Sequence, residues 1–345
     1  MADRNIEARL FNQPAEYLVR PWLERNRPRP QFQGLEVLDT AVILEPFFRE
    51  WDGVTNAKHR REDINLVVNG PDVPRQGTQA YRIWQEYANN PEADPDNGDK
   101  MHLHSYEFTA DGKLALVGSN FDWHRMVSLG QALGKGLLDE RFRDELLPTR
   151  ADNRVVFESE HSNNTNSHVI LFTSDHHLIA AVRGQATHYS VGATATTVEQ
   201  QTNPTVEKHP FDTAHAAVSK YNGMRFTNKA PELNLTLKEE SLRLGAIFLE
   251  ADVNCAAFLV VGQIEEDSSQ ITTNIIGSQR AQEFSPEPNS VWTLPLDNPE
   301  ELIRNFYNPR GFHWHPTARL RIVALLSYIH GYERTLEMFE RYILV

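Results

Sequence analysis

Residues 168–184 read HVILFTSDHHLIAAVRG, and this pattern decides the fold prediction. Two apolar runs, Ser167–Phe172 and Leu178–Arg183, flank a short polar segment. Short apolar runs that are separated by turn-forming residues are typical of strands paired in a sheet. We therefore predict two neighbouring strands here, the second of which ends at Arg183.

The segments that follow alternate between strand and helix patterns. Phe211, Ala214 and Val218 recur at helical spacing, with Asp212 or Thr213 in position to cap the helix and Gly223 to end it. The predicted elements are a third extended region (185–201), a helix (210–222), strands (242–250, 256–264 and 291–295), helices (299–307 and 317–330) and a last turn or two before the C-terminus.

The first part of the chain has its own alternation of strands and helices. Apolar runs predict strands at 41–44 and 64–68, and aromatic residues at helical spacing predict a helix over 76–87. Asp111-Gly112 is typical of a hairpin turn between two strands, and a long amphipathic helix is predicted over 127–147. We expect two domains, an N-terminal α/β domain of unknown role (1–150) and a second domain (151–345).

Composition narrows the class of protein. The 345 residues carry a net charge of −13, which argues against nucleic acid and anionic membranes as partners. No apolar run approaches the roughly 18 residues of a membrane span, and the N-terminus lacks an apolar signal region. The single cysteine, Cys255, lies in an apolar run and is expected to be buried and inert. These features predict a soluble cytoplasmic protein.

The order of these segments resembles the core of the Nudix hydrolase superfamily over about 140 residues. The likeness implies an α/β (α+β) fold in which the second domain is a Nudix-like mixed-sheet α/β/α sandwich. It also implies hydrolysis of nucleoside diphosphate derivatives, with Arg183 near the substrate. The segments that carry the resemblance are residues 168–184, HPFDTAHAAVSKYNGMRF (209–226), LRLGAIFLEAD (242–252), CAAFLVVGQIEE (255–266) and PNSVWTLPLDNPEELI (288–303).

The chain departs from this family where the metal is held. With Gly223 aligned to the closing glycine of the family's motif, the Arg-Glu pair becomes Ala216-Ala217 and the Glu-Glu pair becomes Lys220-Tyr221. Hydrolysis of a pyrophosphate needs a divalent cation, and hard cations need carboxylate ligands. The hydrolytic site is therefore lost or rebuilt, and Mg²⁺ or Mn²⁺ is an expected cofactor only if it is rebuilt.

Two nearby acids could rebuild the site. Glu199 ends the third extended region and Glu207 precedes the helix, so we predict them as catalytic carboxylates that face one cleft. The alternative for Glu207, and for Asp212, is a role at the helix N-terminus. The predicted ligand-binding residues are Arg183, His188, His215, Lys220 and Tyr221; no residue is assigned to a metal.

Histidines form two His-x-His pairs, His102/His104 and His313/His315. On a strand this spacing places both imidazoles on one face, as a metal site requires. No acid at a suitable spacing accompanies either pair in the sequence. A metal site and ordinary packing on the core therefore both remain open.

Two functions follow from these observations. The first is a Nudix-like protein that binds a nucleotide or phosphorylated small molecule and that, if active, is a hydrolase acting on a nucleoside diphosphate derivative. In such a site Lys220 would supply a fixed positive charge, with Ala217 and Tyr221 on neighbouring faces of the helix. The second is a non-enzymatic regulatory or interaction protein that self-associates or binds a protein partner. The apolar residues at 320, 322, 323, 325 and 326 would then be either core or an interface between copies.

Overall fold

The computed structural model describes most of the chain. The residues described are 36–38, 41–90, 98–134, 147–157, 163–183, 193–218, 235–250, 255–271, 291–307 and 313–343, with the single residues 10, 93 and 233.

The secondary structure of this part contains both strands and helices in quantity. In chain order the strands are β1 (Glu36–Leu38), β2 (Ala41–Glu45), β3 (Ile64–Pro71), β4 (Asp99–Phe108), β5 (Leu114–Asp122), β6 (Thr149–Ala151), β7 (Arg154–Val156), β8 (Asn164–Phe172), β9 (His177–Val182), β10 (Thr194–Thr196), β11 (Val198–Gln201), β12 (Arg243–Glu250), β13 (Cys255–Gln263) and β14 (Val291–Pro295). The α-helices are α1 (Gln79–Ala88), α2 (Trp123–Gly134), α3 (Pro210–Val218), α4 (Glu300–Tyr307), α5 (Ala318–His330) and α6 (Tyr332–Ile343).

The larger sheet has the strand order β1-β2-β12-β13-β8-β9-β10. In addition, β11 pairs with β8, and β14 pairs with β9. Strand β13 runs parallel to β8, whereas the other pairs in this sheet are antiparallel. Strand β13 is almost continuously apolar, and β8 is buried along nearly its whole length although its first five residues are polar, as expected for strands whose two faces are both covered. The predicted α+β class is confirmed by this mixed sheet.

The smaller sheet has the order β3-β5-β4-β7-β6. Its centre is the predicted hairpin, in which β4 and β5 pair antiparallel around Gly112 at φ +82°. Strand β3 pairs parallel with β5 and lies at the edge. The apolar face of this sheet packs on the larger one, since Met101 and Leu116 share one buried cluster with Leu171 and Ile247.

The strand pairing does not follow chain order at the N-terminus. Strand β2 pairs with β12, so residues 41–45 belong to the larger sheet although they precede the smaller one. Phe48 and Trp51, which follow β2, are buried in the cluster formed around α5. The division into two domains near residue 150 stays a prediction.

Helix α5 is buried along most of its length between the larger sheet and α6. Its apolar residues at 320, 322, 323, 325 and 326 have no exposed surface, which confirms the core interpretation of this stripe. Gly331, at φ +83°, ends the helix. The predicted last turn or two is instead the 12-residue helix α6, whose Leu336 and Phe339 complete the same cluster. None of the described helices combines the length and the apolar character that crossing a bilayer requires.

Candidate functional site

Glu199 lies at the centre of a buried cluster of charged and polar side chains. It pairs with His168 across β11 and β8, and the strand pleat turns it away from Val198, which packs on the α3 side of the sheet. The Glu199 side chain therefore faces α5, together with His168. A carboxylate is thus buried between the larger sheet and α5.

Two arginines hold this carboxylate. Arg183 Nη1 lies 2.9 Å from Oε2 of Glu199, and Arg321 Nη2 donates to Oε1. His315 Nε2 lies 3.2 Å from the same Oε1. The side chain of Arg321 has no exposed surface, and those of Glu199 and Arg183 are 10% and 15% exposed. Solvent therefore reaches the cluster at Glu199 and Arg183.

The neighbours of Glu199 determine its protonation. Burial raises the pKa of this carboxyl, but Arg183, His315 and Arg321 together hold it well below its ordinary value. Burial lowers the pKa of His315 well below its ordinary value, although Glu199 acts in the opposite direction. At neutral pH Glu199 is therefore an ionised carboxylate that lies between two guanidinium ions and a neutral imidazole. A carboxylate held in this way is poorly suited to accept a proton or to bind Mg²⁺.

Arg321 is positioned by its own helix and by β8. Its Nε donates to Thr317 Oγ1 at 2.9 Å, and its Nη2 lies 2.6 Å from His168 Nδ1. Because Nδ1 of His168 accepts from the guanidinium, the ring proton lies on Nε2, which is 3.2 Å from Glu250 Oε2. The imidazole thus separates the two carboxylates, Glu199 and Glu250.

The tautomer of His168 also bears on whether His168, Glu250 and Cys255 could bind a metal ion. His168, Glu250 and Cys255 bring one potential ligand atom each within 4.8 Å of the others, and all three are buried. A metal would need the Nε2 lone pair, but the contact with Arg321 places a proton there. The trio is therefore better explained as part of the Glu199 cluster.

Glu207 lies elsewhere, and the expectation that it shares a cleft with Glu199 is wrong. Glu207 Oε2 accepts from the Asn203 amide at 2.9 Å and from Thr213 Oγ1 of α3 at 2.8 Å. It has no exposed surface, and burial raises its pKa to about 7. Because it belongs to the turn before α3, it lies on the opposite face of the sheet from Glu199.

His215 is likewise apart from Arg183. It contacts Glu239, and Arg61 bridges Glu239 and Asp212 at the surface with distances of 2.6 and 2.7 Å. Asp212 also accepts from the Lys208 amide at 2.9 Å, which agrees with the predicted role at the start of the helix. This network joins α3 to the loops beside it and does not reach the Glu199 cluster.

Three predicted ligand-binding residues, His188, Lys220 and Tyr221, lie outside the described residues. Ala217, which was expected to lie beside a ligand, is fully buried in the core. The His313/His315 pair is divided, because His313 is exposed and His315 contacts Glu199. Among the described residues that were predicted as catalytic or ligand-binding, only Glu199 and Arg183 come together.

Sequence reasoning missed Arg321, His168 and Glu250. Each had a local signal, since each is a charged or polar residue within or at the end of an apolar run. Buried charges require partners, so such positions point to a cluster, but the partner cannot be read from neighbouring residues. No protein-family model matches the chain, and no curated protein matches it.

Proposed function

We propose that this chain binds a phosphorylated small molecule of the nucleotide class at Arg183 and that it does not hydrolyse this ligand by a metal-dependent route. The observation that carries the proposal is the Glu199 carboxylate held between Arg183 and Arg321. The resemblance to Nudix proteins supplies the ligand class and stays a prediction.

The charges around Glu199 support binding of an anion. The carboxylate is accompanied by two guanidinium groups, so one positive charge is in excess on this side of the His168 ring. Arg183 is the more exposed of the two arginines. A planar guanidinium matches a phosphate with two parallel hydrogen bonds, and Glu199 holds it in place.

The same arrangement argues against hydrolysis at this point. A metal ion at Glu199 would have to displace a guanidinium, and a general base there would need a much higher pKa. Glu207 has the higher pKa, but it is enclosed by Thr213 and the Asn203 turn and has no exposed surface. Glu199 is therefore occupied by guanidinium groups and Glu207 is enclosed, so neither predicted carboxylate is placed to act as a general base or a metal ligand.

The test uses ADP and inorganic pyrophosphate as probes on the full chain. Calorimetric titrations in EDTA and then in Mg²⁺ or Mn²⁺ measure binding, and chromatography of the ADP samples together with release of phosphate measures turnover. We expect binding in EDTA and no turnover with either metal. Turnover with a metal that Glu199→Gln abolishes would instead establish a rebuilt hydrolase, and absence of binding by both probes would contradict the ligand class.

Self-association is the second candidate, and edge strand β3 favours it. Within the described residues β3 pairs with β5 alone, and Val67 and Val73 are 48% and 61% exposed. An exposed strand edge can pair with the same edge of a second copy. Light scattering of the wild-type chain and of Val67→Lys tests this candidate; a monomer at micromolar concentration counts against it.

A further inference from the structure

A second polar cluster lies on the smaller sheet and shares no residue with the Glu199 cluster. His102 and His104 belong to β4, where the pairing register shifts between Leu103 and Ser105. Met101 and Leu103 point into the core, so both imidazoles lie on the other face, with ring centroids 4.3 Å apart. Asp72, which directly follows β3, reaches the same face.

The contacts of Asp72, His102 and His104 bring the atoms that could bind a metal close together. His102 Nδ1 lies 2.8 Å from Asp72 Oδ2, and His104 Nε2 lies 2.8 Å from Ser119 Oγ. One potential ligand atom from each of Asp72, His102 and His104 lies within 4.8 Å of the other two. The remaining ring nitrogen of His102 is buried and has no hydrogen-bond partner among the described residues. An ion shared by the three residues would take the place of the proton between His102 Nδ1 and Asp72 Oδ2.

We propose that Asp72, His102 and His104 bind one divalent first-row transition ion, of which zinc is the representative. Imidazole nitrogens suit Zn²⁺, Co²⁺ and Ni²⁺, whereas Mg²⁺ and Ca²⁺ prefer sites made of oxygen ligands. Two histidines and one carboxylate are three protein ligands, a number that leaves further coordination positions for water or another molecule.

Arg125 sets the position of the carboxylate. Its Nη1 lies 3.2 Å from Asp72 Oδ2 and donates to the Asp72 carbonyl oxygen at 2.9 Å. The guanidinium fixes the loop that carries Asp72, and its charge repels a cation. We therefore expect weaker binding than at a site whose carboxylate has no arginine beside it.

The test uses the full chain without a histidine tag, which would itself bind the ions. Zn²⁺ is titrated by calorimetry, and Co²⁺ is followed by its visible absorption, which reports nitrogen ligation. We expect one ion per chain. Asp72→Asn and His104→Ala should each weaken binding by at least roughly tenfold, the lower end of what disturbing a metal site costs. His313→Ala removes an exposed histidine from the other His-x-His pair and should leave binding unchanged.

Thermal unfolding supplies an independent readout. Zn²⁺ should raise the Tm of the wild type, because a ligand of the native state stabilises it, and should not raise that of Asp72→Asn. If His104→Ala does not fold, Asp72→Asn, which preserves the shape of the side chain, decides the outcome. The proposal is overturned if the wild type binds neither ion, if Asp72→Asn binds as tightly as the wild type, or if His313→Ala loses binding equally.

Discussion

Glu199 and Arg321 are 122 positions apart in sequence, yet they form an ion pair in a part of the core where the Arg321 side chain has no exposed surface. Arg183 approaches the same carboxylate from the end of β9. The pair joins α5 to the larger sheet and holds in place the arginine that we propose as the ligand contact. Both the stability of the fold and the chemistry of the site therefore depend on the charge of Glu199.

Removing the charge of Glu199 should lower the free energy of unfolding. Glu199→Gln would leave the Arg321 guanidinium buried without its carboxylate, a change that typically costs about 3–5 kcal/mol in free energy of unfolding. Urea denaturation at pH 7 measures this loss. Glu36→Gln is the matched control. Glu36 is 40% exposed and pairs with Arg49 at 2.7 Å, so this substitution should cost about 1 kcal/mol or less.

The stability that Glu199 contributes should depend on pH. A carboxyl whose folded pKa is depressed stabilises the protein above its unfolded pKa, and the contribution is lost as the pH falls through the folded value. The difference between the wild type and Glu199→Gln should therefore shrink as the solution is made more acidic. Equal losses for the two variants at pH 7, or a difference that does not change with pH, would contradict the ion-pair explanation.

Glu207 should have the opposite dependence on pH. Its pKa is raised from 4.5 to about 7 by burial, so the folded protein holds the proton more tightly than the unfolded chain. The stability that Glu207 contributes is fully present below about pH 4.5 and is lost as the pH rises towards 7. Near pH 7, burial of the ionised carboxyl lowers the free energy of unfolding by roughly 1–3 kcal/mol. Glu207→Gln imitates the protonated side chain and should gain stability relative to the wild type between pH 5 and pH 8. Denaturation curves whose midpoints change in parallel over this range would refute the prediction.

Gly331 should be intolerant of a side chain. Its φ of +83° is combined with a ψ of 153°, a region that other residues scarcely adopt, and an added Cβ would lie 2.9 Å from the Asp52 carbonyl oxygen. Gly112 has a φ of +82° but no atom within 4 Å of such a Cβ. Thermal unfolding should show Gly331→Ala to be less stable than Gly112→Ala by about 1 kcal/mol or more; equal losses would mean that the close approach to Asp52 is unimportant.

Local patterns predicted the elements of this fold well. The paired strands around Thr173–His177, the hairpin at Asp111-Gly112 and the start of α3 at Pro210 all follow from apolar periodicity and turn residues, which depend on neighbours in sequence. The length of helix α6 was underestimated because its many polar residues obscure the spacing of the apolar ones that pack in the core, among them Leu336 and Phe339.

The two polar clusters could not be predicted from local patterns. Their residues are distant in sequence and are brought together only by the pairing of strands in the sheets. Arg321 reaches Glu199 only because β11 pairs with β8 beneath α5. Asp72 joins His102 because β3 and β4 both flank β5, and no spacing in the sequence indicates that they meet. Glu199 points to the α5 side of the larger sheet, whereas Glu207 lies in the turn before α3, although the two are only eight positions apart.

The proposed ligand contact is tested most directly by binding of ADP in EDTA to Arg183→Ala and to Arg49→Ala. Arg49 is a matched control because it is also a partly buried arginine paired with one glutamate. Loss of a charge-assisted hydrogen bond worth ~1.5–3 kcal/mol should weaken binding to Arg183→Ala by at least about tenfold. Arg49→Ala should bind as the wild type does. Binding by Arg183→Ala that equals the wild type would contradict the account.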